Sequence, residues 1–311
     1  MRLALLFSGQ GGQTAAHWQQ VRAGVTGDLR AALAQVLPGL GEPAAMNVEA
    51  APAVDPEKLA ENKIAQPLIF AQQMLLWGQL QARLPRPICA AGYSLGEMAA
   101  CCAAGAFSAA EGLALCAERA AAMDGAVSGE HGMLAVLGLE EALVHTLAEQ
   151  AGLAVAIRNA PRHLVVAGPR PGIVAVADRF AAAGASRLVH LAVRTPSHTP
   201  LLAQASIAFK QRLDALPDRR LAFPVFSAID ASPARTARPA LAALARQICT
   251  PLDWAACLQA VREMQPDAVL EIGPGNALAR LFGELAPEIP VRASDDFRSV
   301  AGILAWLAAG A

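Results

Sequence analysis

One pentapeptide in the chain has the spacing that nucleophilic attack on a carbonyl needs: Gly92-Tyr93-Ser94-Leu95-Gly96. A serine hydroxyl presented on a sharp turn is pushed out of its sheet, and glycines two residues to either side let the crowded backbone close. The apolar run Pro87-Ile-Cys-Ala-Ala91 precedes the motif and the Ala-rich stretch 97–104 follows it. Ser94 is therefore predicted where a strand hands over to a helix, whose unpaired N–H groups can stabilise an oxyanion. A serine that merely caps the helix would leave the same pattern, but strand before and helix after weigh for chemistry.

A serine is a weak nucleophile without a base. The histidines are His17, His131, His145, His163, His190 and His198. His145 falls within a predicted helix and His163 in a polar turn, so both read as surface residues. His190 reads as packed on a strand. His198, in Thr195-Pro-Ser-His198, follows a strand end, a position where loops carry chemistry. It is the candidate base, although position alone leaves other histidines open. The cysteines (Cys89, Cys101, Cys102, Cys116, Cys249, Cys257) form no C-x-x-C pair and sit in apolar contexts, as small buried hydrophobes do. Neither their spacing nor that of the histidines makes a zinc site, and no disulfides are expected.

The elements that must position these residues read as alternating strands and helices. Leu3-Ala-Leu-Leu-Phe7, ended by Gly9-Gln-Gly-Gly12, suggests a buried parallel strand feeding a loop. Ile64 to Leu80 reads as a long helix with Pro67 in its first turn, and 110–124 as a further helix. From His131 the character changes. Met133–Leu137, Leu164–Ala167 and Ser186–Val193 read as strands separated by helices at about 140–150 and 172–184, which suggests an inserted α+β subdomain. Strand-like Pro224–Ser227 and Ala268–Ile272 follow, the latter entering Gly273-Pro-Gly275.

The 311 residues suffice for one large α/β domain carrying a smaller insert. Apolar residues make up 55% and charged residues 16%, which supports a sizeable core and excludes bulk disorder. No uncharged apolar stretch reaches the roughly 18–20 residues that span a bilayer. The apolar start Met1–Phe7 is too short for a secretory signal, so a cytoplasmic protein is expected. The formal net charge of −1, without a block of like charge, argues against nucleic-acid or anionic-membrane partners.

Taken together the motifs resemble the malonyl-CoA:acyl-carrier-protein transacylases over nearly the whole chain. The matching pieces come in the family's order: Phe7-Ser-Gly-Gln-Gly-Gly-Gln13, Ala65-Gln-Pro67, Gly92-Tyr-Ser-Leu-Gly-Glu97, Arg119 with Met123, Asn159-Ala-Pro161, Pro196-Ser-His198, Gln247 before Ile-Cys-Thr-Pro251, and Glu271-Ile-Gly-Pro-Gly275. The resemblance implies a hydrolase-like large α/β domain with a parallel sheet, residues 1–130 and 195–311, and an inserted ferredoxin-like α+β subdomain, residues 131–194.

It also implies roles. Ser94 would be the acyl-accepting nucleophile, His198 its base, and the backbone N–H groups of Gln10 and Leu95 the oxyanion hole. The Gln247 carbonyl would orient the histidine, making a dyad without an aspartate. Arg119 would bind the malonyl carboxylate, a planar bidentate pairing for which arginine is suited; the bland reading is a helix-surface arginine paired with Glu118. Met123, Ser197, Asn159 and Gly9 would complete the substrate pocket. Malonyl-CoA would be the donor, with no resident cofactor or metal. The partner would be an acyl-carrier protein bearing a phosphopantetheine-type thiol.

One residue departs from the common motif, which has histidine before the nucleophile where this chain has Tyr93. Tyr93, the Phe-Ser-Gly-Gln-Gly-Gly opening and Asp295-Asp-Phe-Arg-Ser299 look like the malonate decarboxylase epsilon subunit, which would make the acceptor that enzyme's dedicated carrier subunit. The transacylase of fatty acid synthesis is the alternative. A serine hydrolase, which would usually place its histidine late in the chain after an acid, and a non-catalytic scaffold subunit are the readings from other classes.

Overall fold

Leu3–Phe7 (β1) is apolar at every position and buried throughout, as a central parallel strand with both faces covered must be. A computed structural model describes residues 1–38 and 55–310. Its further strands are β2 (Cys89–Gly92), β3 (His131–Leu137), β4 (Ala154–Ala160), β5 (His163–Pro169) and β6 (Arg187–His190). After them come β7 (Arg220–Phe226), β8 (Pro233–Thr236), β9 (Leu252–Asp253), β10 (Ala268–Ile272) and β11 (Val291–Ala293). They form two sheets, a six-stranded one in the order β11-β10-β1-β2-β7-β8 and a five-stranded one in the order β6-β3-β5-β4-β9.

The larger sheet is parallel apart from its β7–β8 edge. Period-two alternation sends Leu3, Leu5 and Phe7 into one core layer and Ala4 and Leu6 into the other. Because β1, β2 and β10 run the same way, their carboxyl ends bring three loops together: Ser8–Gly12, Tyr93–Leu95 and Gly273–Asn276. Open α/β sheets bind ligands at that edge.

The smaller sheet has the ferredoxin-like order: strand, helix, two strands, helix and strand, with β3 and β5 inside and all their pairings antiparallel. Leu134, Val136, Leu164 and Val166 pack against the subdomain's own helices, Glu141–Gln150 and Arg170–Ala182. The alternate residues Met133, Ala135, Val165 and Ala167 face the large domain's core. Leu252–Asp253 joins this sheet from outside residues 131–194 through parallel pairing with β4.

Three local expectations need correction. The long helix begins at Asn62, so Pro67 lies inside it rather than in its first turn. The strand foreseen over Ser186–Val193 pairs only from Arg187 to His190. Strand β4 was not foreseen, because Ala-Val-Ala-Ile-Arg-Asn-Ala lacks an unbroken β-branched run and mixes two polar residues into its end.

The turn at Ser94 shows why glycine is required on both sides of it. A Cβ on Gly96 would lie 2.0 Å from the Phe7 carbonyl oxygen, and one on Gly92 2.1 Å from the Glu97 nitrogen. Both obstacles are backbone atoms of the sheet and turn, which cannot step aside as a side chain can. Gly96→Ala is expected to lower unfolding free energy by about 3 kcal/mol, the cost of overpacking a rigid site. Denaturant titration checks this, and unchanged stability would show that the turn is not clamped between β1 and the helix.

Candidate active site

Ser94 and His198, 104 positions apart, meet at the carboxyl edge of the large sheet. His198 Nε2 lies 2.8 Å from Ser94 Oγ, and His198 Nδ1 lies 2.5 Å from the Gln247 carbonyl oxygen. A carbonyl can only accept, so Nδ1 carries the ring proton and Nε2 is free to accept the serine's. Burial pulls the His198 pKa down to about 3, with Arg119 adding to the fall and the Gln247 carbonyl opposing it. The ring is therefore neutral, as a base must be.

Both residues adopt left-handed backbone, Ser94 at φ 52° and His198 at φ 64°. Such conformations cost about 1–3 kcal/mol each and persist only where surroundings enforce them. At Ser94 the enforcement comes from Tyr93 N–H donating to the Phe7 carbonyl and from the flanking glycines. At His198 its N–H donates to the Ile248 carbonyl at 2.9 Å, and the Thr199 hydroxyl closes the loop onto the Pro196 carbonyl at 2.7 Å.

Ser8–Gly12 forms the facing wall. Ser8 donates its hydroxyl to Glu271 at 2.8 Å, and buried Gln73 donates to the Ser8 carbonyl at 2.8 Å. A Cβ on Gly12 would sit 2.6 Å from the Pro274 carbonyl oxygen, so two loops pack backbone to backbone here. Gln10 and Leu95 line the same cavity as Ser94. Among the described residues neither of their backbone N–H groups has a hydrogen-bond acceptor, the condition an oxyanion hole must meet. The Gln10 side chain turns away and donates to the Ala60 carbonyl.

Arg119 lies on the helix Ala109–Gly125, 1% exposed, and lines the cavity. Nη1 donates to Gln66 Oε1 at 2.8 Å, while Nε and Nη2 are buried without a partner among the described residues. The surface pairing with Glu118 does not form; Glu118 points outward to Arg212 at 2.8 Å. Burial lowers the Arg119 pKa to about 10, which leaves it charged at neutral pH. An unpaired buried guanidinium carries a penalty of several kcal/mol, and one neutral hydrogen bond offsets only a part of it. A carboxylate is the group that would pair with both remaining donors.

The cavity, of about 410 Å³, runs between the two sheets. Met123, Ser197, Asn159 and Gly9 all line it, as do Met133, Ile157 and Val165 from the smaller sheet. The Ser197 hydroxyl turns back toward the Thr195 carbonyl. Tyr93 packs edge-on against Trp254, ring centroids 5.3 Å apart, and burial raises its hydroxyl pKa so that it stays a neutral phenol.

His163 is not the surface residue the sequence suggested. It begins β5, lines the cavity and lies 3.3 Å from Asn159 Nδ2. Sequence reasoning left Gln66, inside the matching Ala65-Gln-Pro67, without a role and passed over Gln73. Their signal was present: with Gln72 they are glutamines set among apolar residues on a largely buried helix, and a buried amide needs a polar partner. No helix among the described residues is long and apolar enough to cross a membrane.

The family described as acyl transferase domain matches residues 5–285. A malonyl CoA-acyl carrier protein transacylase of Mycobacterium tuberculosis is 31% identical over 241 residues, 76% of this chain and 79% of that protein. A crystal structure of an acyl-carrier-protein S-malonyltransferase from Burkholderia pseudomallei superposes with a TM-score of 0.83 at 29% identity, covering 98% of this chain and 99% of that one. A malonyl-transacylase solved in complex with its type II polyketide acyl-carrier protein superposes with a TM-score of 0.82 at 26% identity, over 96% and 97% of the two chains. The chain belongs to the acyl transferase domain family and is an acyltransferase.

Proposed function

We propose that the chain moves a malonyl group from malonyl-CoA, through an ester on Ser94, to the phosphopantetheine-type thiol of an acyl-carrier protein. The observation that carries the reading is Arg119, a buried guanidinium lining the same cavity as Ser94 and His198, with two donors that have no partner among the described residues. A carboxylate there takes both donors in a charge-assisted bidentate pair. An acetyl group leaves them unpaired.

Ser94 Oγ attacks the thioester carbonyl as its proton passes to His198 Nε2, and the Gln10 and Leu95 N–H groups hold the oxyanion. The carbon–sulfur bond breaks, and the departing CoA sulfur takes the proton from His198. The carrier's thiol then repeats the sequence in reverse, returning Ser94 to its hydroxyl form. The Gln247 carbonyl stabilises the imidazolium formed transiently in each half. Residues 131–194 would serve as a subdomain that walls the acyl site with the apolar face of its sheet.

For the acceptor, the carrier protein used by the similar transacylases is the first reading. The malonate decarboxylase carrier is the second, and the observation favouring it is Tyr93 in the cavity wall, where the common motif has histidine. The test is to load the enzyme with malonyl-CoA and offer it each holo-carrier, with mass spectrometry of both products. Faster loading of the fatty-synthesis carrier supports the first reading, and faster loading of the decarboxylase carrier the second. Loading of neither, with free malonate accumulating, would make the chain a hydrolase.

Two further outcomes are expected. Arg119→Ala should lower malonyl loading of Ser94 by about 100-fold or more, since removing one partner of a buried charge pair costs about 2–5 kcal/mol. It should also bring malonyl and acetyl loading rates within about tenfold of each other, as parallel quench assays with the two thioesters would show. Because the His198 pKa is lowered, its base form persists into acid. The acid limb of kcat/KM for Ser94 acylation should therefore fall well below pH 6.5, and a limb at or above that value would contradict a buried neutral His198.

A further inference from the structure

Glu97 follows the serine turn directly, in the first turn of the helix Gly96–Ala103. An acidic residue there ordinarily faces solvent and is favoured by the helix dipole. Glu97 instead runs inward and is 1% exposed. Its Oε2 accepts from Gln247 Nε2 at 3.1 Å and from the Ala228 backbone N–H at 3.2 Å. The same Gln247 Nε2 also donates to the Ser94 backbone carbonyl at 3.2 Å, while the Gln247 carbonyl accepts from His198. One buried residue thus holds the serine by its side chain and the histidine by its backbone, and Glu97 is the group that fixes that side chain.

Burying a carboxyl costs more than burying an apolar residue of the same size unless its acceptor is needed. The environment raises the Glu97 pKa to about 8, chiefly by desolvation, so at neutral pH the group is mostly a neutral acid whose acceptor oxygen still serves both donors. The benefit falls on Gln247. Without Glu97, the amide would have only the Ser94 carbonyl to hold it, since its Oε1 has no partner among the described residues. An amide free to swing would loosen both ends of the 2.8 Å contact between His198 and Ser94.

We propose that Glu97 is a positioning residue for transacylation, acting through the Gln247 amide to hold Ser94 and His198 in register. The proposal rests on the serine–histidine reading above and is tested separately from it. Rapid-quench mass spectrometry of the full chain with malonyl-CoA gives the saturating rate of Ser94 acylation and the half-saturating concentration. Glu97→Leu should lower the saturating rate by about 10–100-fold, the usual effect of removing an orienting partner, and leave the half-saturating concentration nearly unchanged. Glu97→Gln, which keeps the acceptor, should recover most of the loss.

Gln247→Leu keeps the carbonyl but removes the amide, and should reproduce the Glu97→Leu defect. The double variant should be no slower than the worse single one, because both changes cut the same link. The proposal is overturned by parental rates in Glu97→Leu, by Glu97→Gln falling as far as leucine, or by defects that multiply. Should Glu97→Leu fail to fold, Gln247→Leu and Glu97→Gln decide the matter, and Gln247→Leu at the parental rate overturns it. Ser94→Ala keeps the two failures apart. If that variant still accepts malonyl covalently, the serine–histidine reading falls; if it does not, a normal rate in Glu97→Leu removes only the role of Glu97.

Discussion

A serine hydroxyl gains nucleophilicity only when its proton has somewhere to go, and much of this fold can be understood as the means of keeping Ser94 Oγ within 2.8 Å of His198 Nε2. The two side chains enter from different loops, on left-handed backbone that each would avoid if free. The large sheet supplies the rigidity to hold them there. Phe7 and Gly92 are register partners on neighbouring strands, so the loops carrying Gln10 and Ser94 leave the sheet side by side.

Selectivity and catalysis share this arrangement but draw on different physics. The serine–histidine contact works with neutral groups in a desolvated setting, which is why burial lowers the His198 pKa. Arg119 keeps a positive charge in the same desolvated wall, partly satisfied by Gln66. Its proximity discourages protonation of the histidine while leaving donors for a carboxylate. A substrate that brings its own negative charge offsets the arginine's burial. On the proposed reading, the acyl group selected is the one that completes the site electrostatically.

The sequence made much of this legible and hid the rest for physical reasons. Gly92, Ser94 and Gly96 could be read because backbone crowding permits few alternatives at such a turn. Leu3–Phe7 and Ala268–Ile272 could be read because strands buried on both faces are uniformly apolar. Position after a strand end made His198 the candidate but could not exclude other histidines, since its partner is 104 residues distant and its strained backbone leaves no compositional mark; the family resemblance narrowed the choice. Strand β4 escaped because alanine carries little strand preference. His163 was misplaced because its polar neighbours suggested a turn, whereas pairing with β3 and β4 makes it the first residue of a strand lining the cavity. The reach of Glu97 toward Gln247 spans 150 positions, and first-turn acids usually face water.

On the proposed reading, malonyl passes through Ser94 under the control of His198 and Arg119. The most direct measurement is peptide mapping by mass spectrometry after brief exposure of the protein to malonyl-CoA without a carrier, with released CoA quantified in parallel. About one malonyl ester per chain is expected, on the peptide containing Ser94, with an equal amount of CoA released. Malonyl found on another residue, or CoA released together with free malonate and no adduct, would contradict it.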